Sequence, residues 1–509
     1  MSGVARFRRM HPGGRIGSAW VRFMHVSKFR CFGQAGALLW LFLVASTASS
    51  HAAAAEWFVA RNGSDSSGTG SAAAPFRTIT HVLDPANEIV SAGDTVTVRG
   101  PAGSNLYEEC DVRLRVRLTL RSPPGERAHI HCALNNVDTV TVQVDPDASG
   151  STLSRLELSG GFYYGLFFQT DWFTGGGEAF TGASNVLVDD LKIHDTGRDG
   201  IKITPQCNDI TIRHSEIWNS GAIYPPGTPL DDKNAEGIDN VNGSRMRVHD
   251  TYIHDTATTG LYFKGGAADV VIERNIIERT GVGGIMFGFD TSPEFFDTAA
   301  NPLYYEAVRG VVRNNVIRDT GYAGIGLYAS LNATVVNNTI VSTAQLGHAA
   351  LYFGVTLQDF EPQAGRPANT NPLIRNNLII QDGGDCVAIR FANELGGLSG
   401  LDGHPGTDYN WFHDNDGACQ FVDRRPGSSL SAGGSLSQWR AALNADANSD
   451  SGLITVTADG HLPADSPALD RGQVLSQVID DMDGETRTSP YDIGSDERPP
   501  GILFAHGFE

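Results

Sequence analysis

From residue 185 onward one phrase recurs along the chain: a short run rich in Ile and Val, an Asn-x-hydrophobic step, a Gly, then Gly-Ile or a close equivalent. The clearest copies are VVIERNIIERTGVGGIMFG (270–288), GVVRNNVIRDTGYAGIGLY (310–328), TVVNNTIVSTAQLGHAALYFG (334–354) and LIRNNLIIQDGGDCVAIRF (373–391). Looser copies are VLVDDLKIHDTGRDGIKI (186–203), ITIRHSEIWNSG (210–221) and MRVHDTYIHDTATTGLYFK (246–264). Equivalent isoleucines stand at 193, 217, 253, 277, 317, 340 and 379, at intervals of 24, 36, 24, 40, 23 and 39. The period is therefore about 23 residues, with three units enlarged. Each apolar run is too short for a helix and alternates with period two. One such unit cannot bury its own hydrophobic face, so units must stack into a continuous core. The expected fold is all-β, a parallel β-helix. Asn275, Asn315, Asn338 and Asn377 keep register with the isoleucines, as an internal ladder of side-chain amides at a turn requires.

The segment WFVARNGSDSSGTGSAAAPFRTITHVLDPANEIVSAGDTVTVRG (57–100) resembles the opening of secreted right-handed parallel β-helix proteins of the pectate-lyase-like superfamily. The tail segments LPADSPALDRG (462–472) and DMDGETRTSPYDIGSDE (481–497) are similar to endings of that group. The resemblance implies a right-handed β-helix with an N-terminal cap; it does not fix an activity, because one fold hosts many chemistries. The expected organisation is a signal peptide at 1–55, the β-helix at 56–400 and an irregular C-terminal cap and tail at 401–509.

The signal peptide is read from composition. Residues 1–55 hold Arg6, Arg8, Arg9, Arg15, Arg22, Lys28 and Arg30 and no acidic residue, then an apolar run from Ala35 to Ala45 and alanines at 52–55. That is a charged region, a short apolar region and a small-residue cleavage site. Met24 would start a conventional leader. The chain is expected to be secreted or periplasmic, without a membrane span, and monomeric. Its net charge of −20 becomes −27 without the leader, with 31 basic against 58 acidic residues left. This balance argues against nucleic acid as a partner. Five cysteines remain: Cys110, Cys132, Cys207, Cys386 and Cys419. Cys110 and Cys132 stand 22 apart, one coil, so a stacked disulfide is geometrically open to them.

Aligning the Gly-Ile strands puts Ile201, Ile238, Leu261, Ile285, Ile325, Leu351 and Ile389 in one inward column. Alternation then turns Lys202, Asp239, Tyr262, Met286, Gly326, Tyr352 and Arg390 outward, followed two residues on by Thr204, Val241, Lys264, Gly288, Tyr328, Gly354 and Ala392. The three enlarged coils, 222–237, 289–308 and 355–370, carry Pro and aromatic residues and are expected to wall this strip. Lys264, between Val241 and Gly288, is the expected catalytic residue, with Arg390 or Lys202 clamping a substrate carboxylate. Glu236 and Asp239, with Asp231 or Asp232, are the expected ligands of Ca²⁺, and Tyr262, Tyr328 and Tyr352 the expected sugar-stacking platforms. These residue types suit β-elimination from a uronic-acid polysaccharide: a base takes the proton beside a carboxylate whose charge is neutralised. A non-catalytic glycan-binding protein and a glycoside hydrolase using Glu236 and Asp239 are the alternatives. Asp446, Asn448 and Asp450 begin like a calcium loop but lack its Gly and Glu. His194, His214, His249, His254 and His348 show no metal-ligand spacing in sequence and are expected to be turn residues.

Overall fold

The computed structural model describes residues 54–134, 139–173, 180–356 and 366–498. Residues 1–53, nearly all of the expected leader, and 499–509 lie outside these, so the leader expectation falls outside the described residues. Three long sheets of 12, 11 and 12 strands run the length of the stack, and each strand pairs in parallel with its counterpart one coil earlier and one coil later. The strip sheet is built from Ile201–Ile203, Ile238–Val241, Leu261–Lys264, Ile285–Phe287, Ile325–Tyr328, Ala349–Gly354 and Asp385–Ile389, among others. Ile201, Ile238, Leu261, Ile285, Ile325 and Leu351 are direct register partners, as expected from the repeat. All six are fully buried.

Two local devices keep the coils close. The glycine before each inward aliphatic has no room for a side chain: a Cβ on Gly284 would fall 2.4 Å from Ile317 Cγ2 and 2.6 Å from Gly324 O of the next coil. The asparagine ladder is present and runs one step further than expected. Each backbone N and side-chain Nδ2 donates to the next Oδ1 at 2.9–3.1 Å, from Asn275 through Asn315, Asn338 and Asn377 to Asn410. The residue before each of these, Arg274, Asn314, Asn337 and Asn376, sits in the left-handed region at φ 53–57°, making the corner that a regular strand cannot.

Helix α1, Ile79–Leu83, is capped by Thr78 and closes the first coil with Ile79, Val82 and Leu83. At the other end the structure corrects the domain limit. The stack continues past residue 400: Thr407–Asp408, Trp411–Asp414 and Gln420–Asp423 extend all three sheets by another coil. Helix α2, Leu436–Leu443, then closes the core by placing Trp439 against Phe421. Residues 462–498 are not an end cap but a strap along the flank. Arg487 Nη2 donates to Asn314 Oδ1 at 3.0 Å, Asn314 Nδ2 to Asp480 O at 2.8 Å, and Gly494 N to Asn376 O at 2.8 Å.

Cys110 and Cys132 form the stacked disulfide, Cys386 and Cys419 form a second, and Cys207 is buried and unpaired. Among the described residues no helix is long and apolar enough to cross a membrane.

Candidate functional site

Three consecutive strip strands bring together Asp199, Lys202, Glu236, Asp239, Tyr262 and Lys264. Asp199 and Glu236 occupy equivalent corners, each directly before a Gly-Ile step, and the backbone N of Glu236 donates to Asp199 Oδ1 at 3.1 Å. The first enlarged coil sets Glu236: the chain leaves the helix at Gly221 and returns at Ala235, where Ser220 Oγ donates to Ala235 O at 2.8 Å. Thr258 Oγ1 donates to Glu236 Oε1 at 2.9 Å.

Asp199, Glu236 and Asp239 are all buried and place carboxylate oxygens within 4.8 Å of one another. Each also has one buried oxygen without a hydrogen-bond partner: Asp199 Oδ2, Glu236 Oε2 and Asp239 Oδ1. Lys202 bonds Asp239 and lies 3.7 Å from Asp199 Oδ2, so one partly buried cation faces three buried carboxyls. Burying charge without compensation is costly. The cluster must hold a proton or admit a further cation. Accordingly burial, then the nearby Asp199 and Asp239 carboxylates, push Glu236 well above the usual carboxylate range. Burial raises Asp199 as well, against the pull of Lys202. Lys202 is raised despite its burial, because Asp239, Tyr164 and Asp199 surround it. An all-oxygen donor set of three clustered carboxyls fits a hard divalent cation such as Ca²⁺.

Lys264 lies one strand beyond, paired with Val241 as expected. Its Nζ donates to Tyr262 Oη at 3.0 Å and sits 4.2 Å from the centre of that ring. Burial, then the three carboxylates, holds the Tyr262 phenol well above its ordinary value, so it stays neutral. Below Lys264, Gly265 N donates to the buried Glu306 at 2.9 Å, and Glu306 pairs with the buried Arg366 at 2.9 Å. That ion pair clasps the second and third enlarged coils together beside the strip, where the sequence places them.

Several expectations are corrected. Asp231 and Asp232 are exposed on a single 3₁₀ turn, Leu230–Asp232, and stand outside the carboxyl cluster; an insertion tip rather than a strand carries them. Lys202 is tied to Asp239 and Asp199, so its charge serves the protein's own carboxylates rather than a substrate. Ile389 pairs with Phe353 and not Leu351, which moves Arg390 by two residues, beside Gly354. Arg390 pairs with Glu394 at 2.8 Å. Four strand spacings of ~4.8 Å then separate it from Lys264, about 19 Å. Tyr262, Tyr328 and Tyr352 are 6%, 3% and 6% exposed and pack with Met286, Ala323, Ala349 and Ala388 in a small outer cluster, so they are not open platforms. The exposed aromatic there is Phe289, at 37%, set over Tyr262 and Tyr328. Asp199 went unread in the sequence, although its place before Gly200-Ile201 matches that of Glu236 before Gly237-Ile238.

Residues 147–345 match the family model described as "Right handed beta helix region". No curated protein matches the chain significantly by sequence. Among solved structures, the pectate lyase Pel9A is 16% identical over 87% of this chain and 96% of its own, with a TM-score of 0.52. XylC in complex with xylose is 11% identical over 87% of this chain and 98% of its own, with a TM-score of 0.47. An alginate lyase from Paenibacillus sp. str. FPU-7 is 16% identical over 61% of this chain and 93% of its own, with a TM-score of 0.39. Strand order, family match and the Pel9A likeness agree on the fold: the chain is a right-handed parallel β-helix.

Proposed function

We propose that this protein is an exported, carbohydrate-active enzyme that cleaves a uronic-acid polysaccharide by β-elimination at the Lys264 end of the carboxyl cluster. The observation that carries the reading is the cluster of three buried carboxyls, Asp199, Glu236 and Asp239, with oxygens within 4.8 Å of one another, beside a lysine that no described carboxylate pairs. When bound there, Ca²⁺ would neutralise a substrate carboxylate and acidify the proton next to it. Asp199, Glu236 and Asp239 would hold it, with Lys202 balancing the remaining charge. Lys264 is the base: the lone pair of its amine nitrogen takes the proton from the sugar carbon beside the carboxylate, while neutral Tyr262 orients that nitrogen. The electrons of the broken C–H bond form the new C=C bond and expel the glycosidic oxygen, which leaves with a proton from solvent. Phe289 offers an exposed ring for the sugar chain. Export is supported by two disulfides, which persist in oxidising compartments.

One observation favours a second reading. Burial and the neighbouring carboxylates push Glu236 well above the usual carboxylate range while Asp239 is ion-paired with Lys202, an asymmetry that suits the acid and base of a glycoside hydrolase. The test is incubation with pectate, alginate and glycosaminoglycans, with Ca²⁺ or with EDTA. Ultraviolet absorbance of unsaturated product that needs Ca²⁺ and disappears in Lys264→Ala supports the lyase. Full activity in Lys264→Ala overturns the assignment of the base, and reducing ends without absorbance replace the lyase by the hydrolase.

A further inference from the structure

A second cluster lies on a different sheet from the strip. Strands Ala128–Cys132, Leu156–Gly160 and Lys192–His194 are consecutive parallel neighbours, with His129 beside Glu157 and with His131, Ser159 and His194 in one row. His129 Nδ1 and His194 Nε2 converge on the same oxygen, Glu157 Oε1, at 3.4 and 3.3 Å. A charge-assisted N–H···O contact closes to about 2.7–2.9 Å. Ligand atoms about 2.0–2.1 Å from a tetrahedral zinc ion, by contrast, stand about 3.3 Å from one another. Both N···O spacings match a tetrahedron's edge, the His194 one also lying within hydrogen-bond reach, and the three ligand atoms stand within 4.8 Å of one another.

The ring nitrogens facing away from this point are fixed. His129 Nε2 meets Ser159 Oγ at 2.7 Å, and His194 Nδ1 meets Asp195 Oδ2 at 2.7 Å. Such outer partners set the orientation of metal-binding imidazoles and raise their basicity. His194 is further held by stacking on Trp218, with ring centres 4.3 Å apart. The three side chains are 12–24% exposed, so solvent reaches the open corner. Lys192, the nearest cation on these strands, is engaged by Glu216 at 3.0 Å.

We propose that His129, Glu157 and His194 bind a divalent transition ion of the zinc class, with water as the fourth ligand. Two imidazole nitrogens and one carboxylate suit such an ion and not Ca²⁺. The ion would clamp three successive coils, and the site is independent of the strip chemistry.

The test uses the full chain, stripped by chelator and returned to excess Ca²⁺ so that carboxylate-only sites are filled. Zinc is titrated by calorimetry, and cobalt(II) by the visible band of a four-coordinate ion. One zinc per chain is expected, weakened about 100-fold or more in His129→Ala and Glu157→Ala and about 10- to 100-fold in Asp195→Asn. His461→Ala, in the His461, Asp483 and Asp496 group of the strap, should leave binding unchanged. Should His129→Ala not fold, Asp195→Asn and the wild-type titration still decide. No zinc bound by the wild type, binding that survives His129→Ala and Glu157→Ala, or binding lost in His461→Ala would each overturn the proposal.

Discussion

Glu236→Gln separates the two ways in which the carboxyl cluster can be compensated. An amide copies the shape and the neutrality of a protonated carboxyl group. Without divalent cations, burial and the Asp199 and Asp239 carboxylates hold Glu236 well above its unfolded-state value of about 4.3. The sign follows from linkage. As pH rises through the unfolded-state value, the unfolded chain releases this proton and the folded chain keeps it, so stability falls with pH. The loss approaches about 1.4 kcal/mol for each pH unit between the two values, and Asp199, also raised, adds to it. Glu236→Gln removes the contribution of Glu236 alone. The difference in urea-unfolding free energy between variant and wild type, measured in EDTA, should therefore be near zero at about pH 4 and grow in favour of the variant toward neutral pH. With Ca²⁺ the wild type should regain its stability at neutral pH and the variant should regain less. Parallel pH profiles for the two proteins in EDTA would refute the claim that Glu236 is held protonated. Identical Ca²⁺ responses would refute its role as a ligand.

Three further outcomes are expected. Asn338→Ala removes the amide that serves Val312 O, Val336 O and Asn315 N, and at about 1–3 kcal/mol per buried group left unpaired should cost about 3–9 kcal/mol in chemical denaturation. Gly284→Ala should cost about 1–3 kcal/mol through the collisions with Ile317 and Gly324 O, visible as a lowered melting temperature. Arg390→Ala should leave both kcat and KM near the wild-type values, because Arg390 pairs with Glu394 and stands four strands from Lys264; a fall of about tenfold or more in kcat would contradict that separation.

How much was legible depends on whether the signal repeats. Ile193, Ile217, Ile253 and their successors recur because every coil meets the same packing problem, so the fold and the direction of Lys202, Asp239, Tyr262 and Lys264 follow from period and alternation alone. The asparagine ladder and the Cys110–Cys132 bridge were legible for the same reason, since stacking turns a one-coil offset into a contact. The strap at 462–498 was not, because it lies across coils that have no counterpart to it in sequence.

At the site the sequence alone determined which side chains leave the core, but it could not say how far they then travel. Tyr262, Tyr328 and Tyr352 point outward and are nonetheless buried, because neighbouring coils and Phe289 cover them. Arg390 shifted by two residues because Val387, not Ile389, takes the place opposite Leu351. Only the tertiary structure decided that Asp199 joins Glu236 and Asp239, and that His129, Glu157 and His194 share one point on another sheet. The physical reason is the same in each case: register along a strand is local, whereas burial and charge compensation are set by residues one coil away, tens of positions off in the chain.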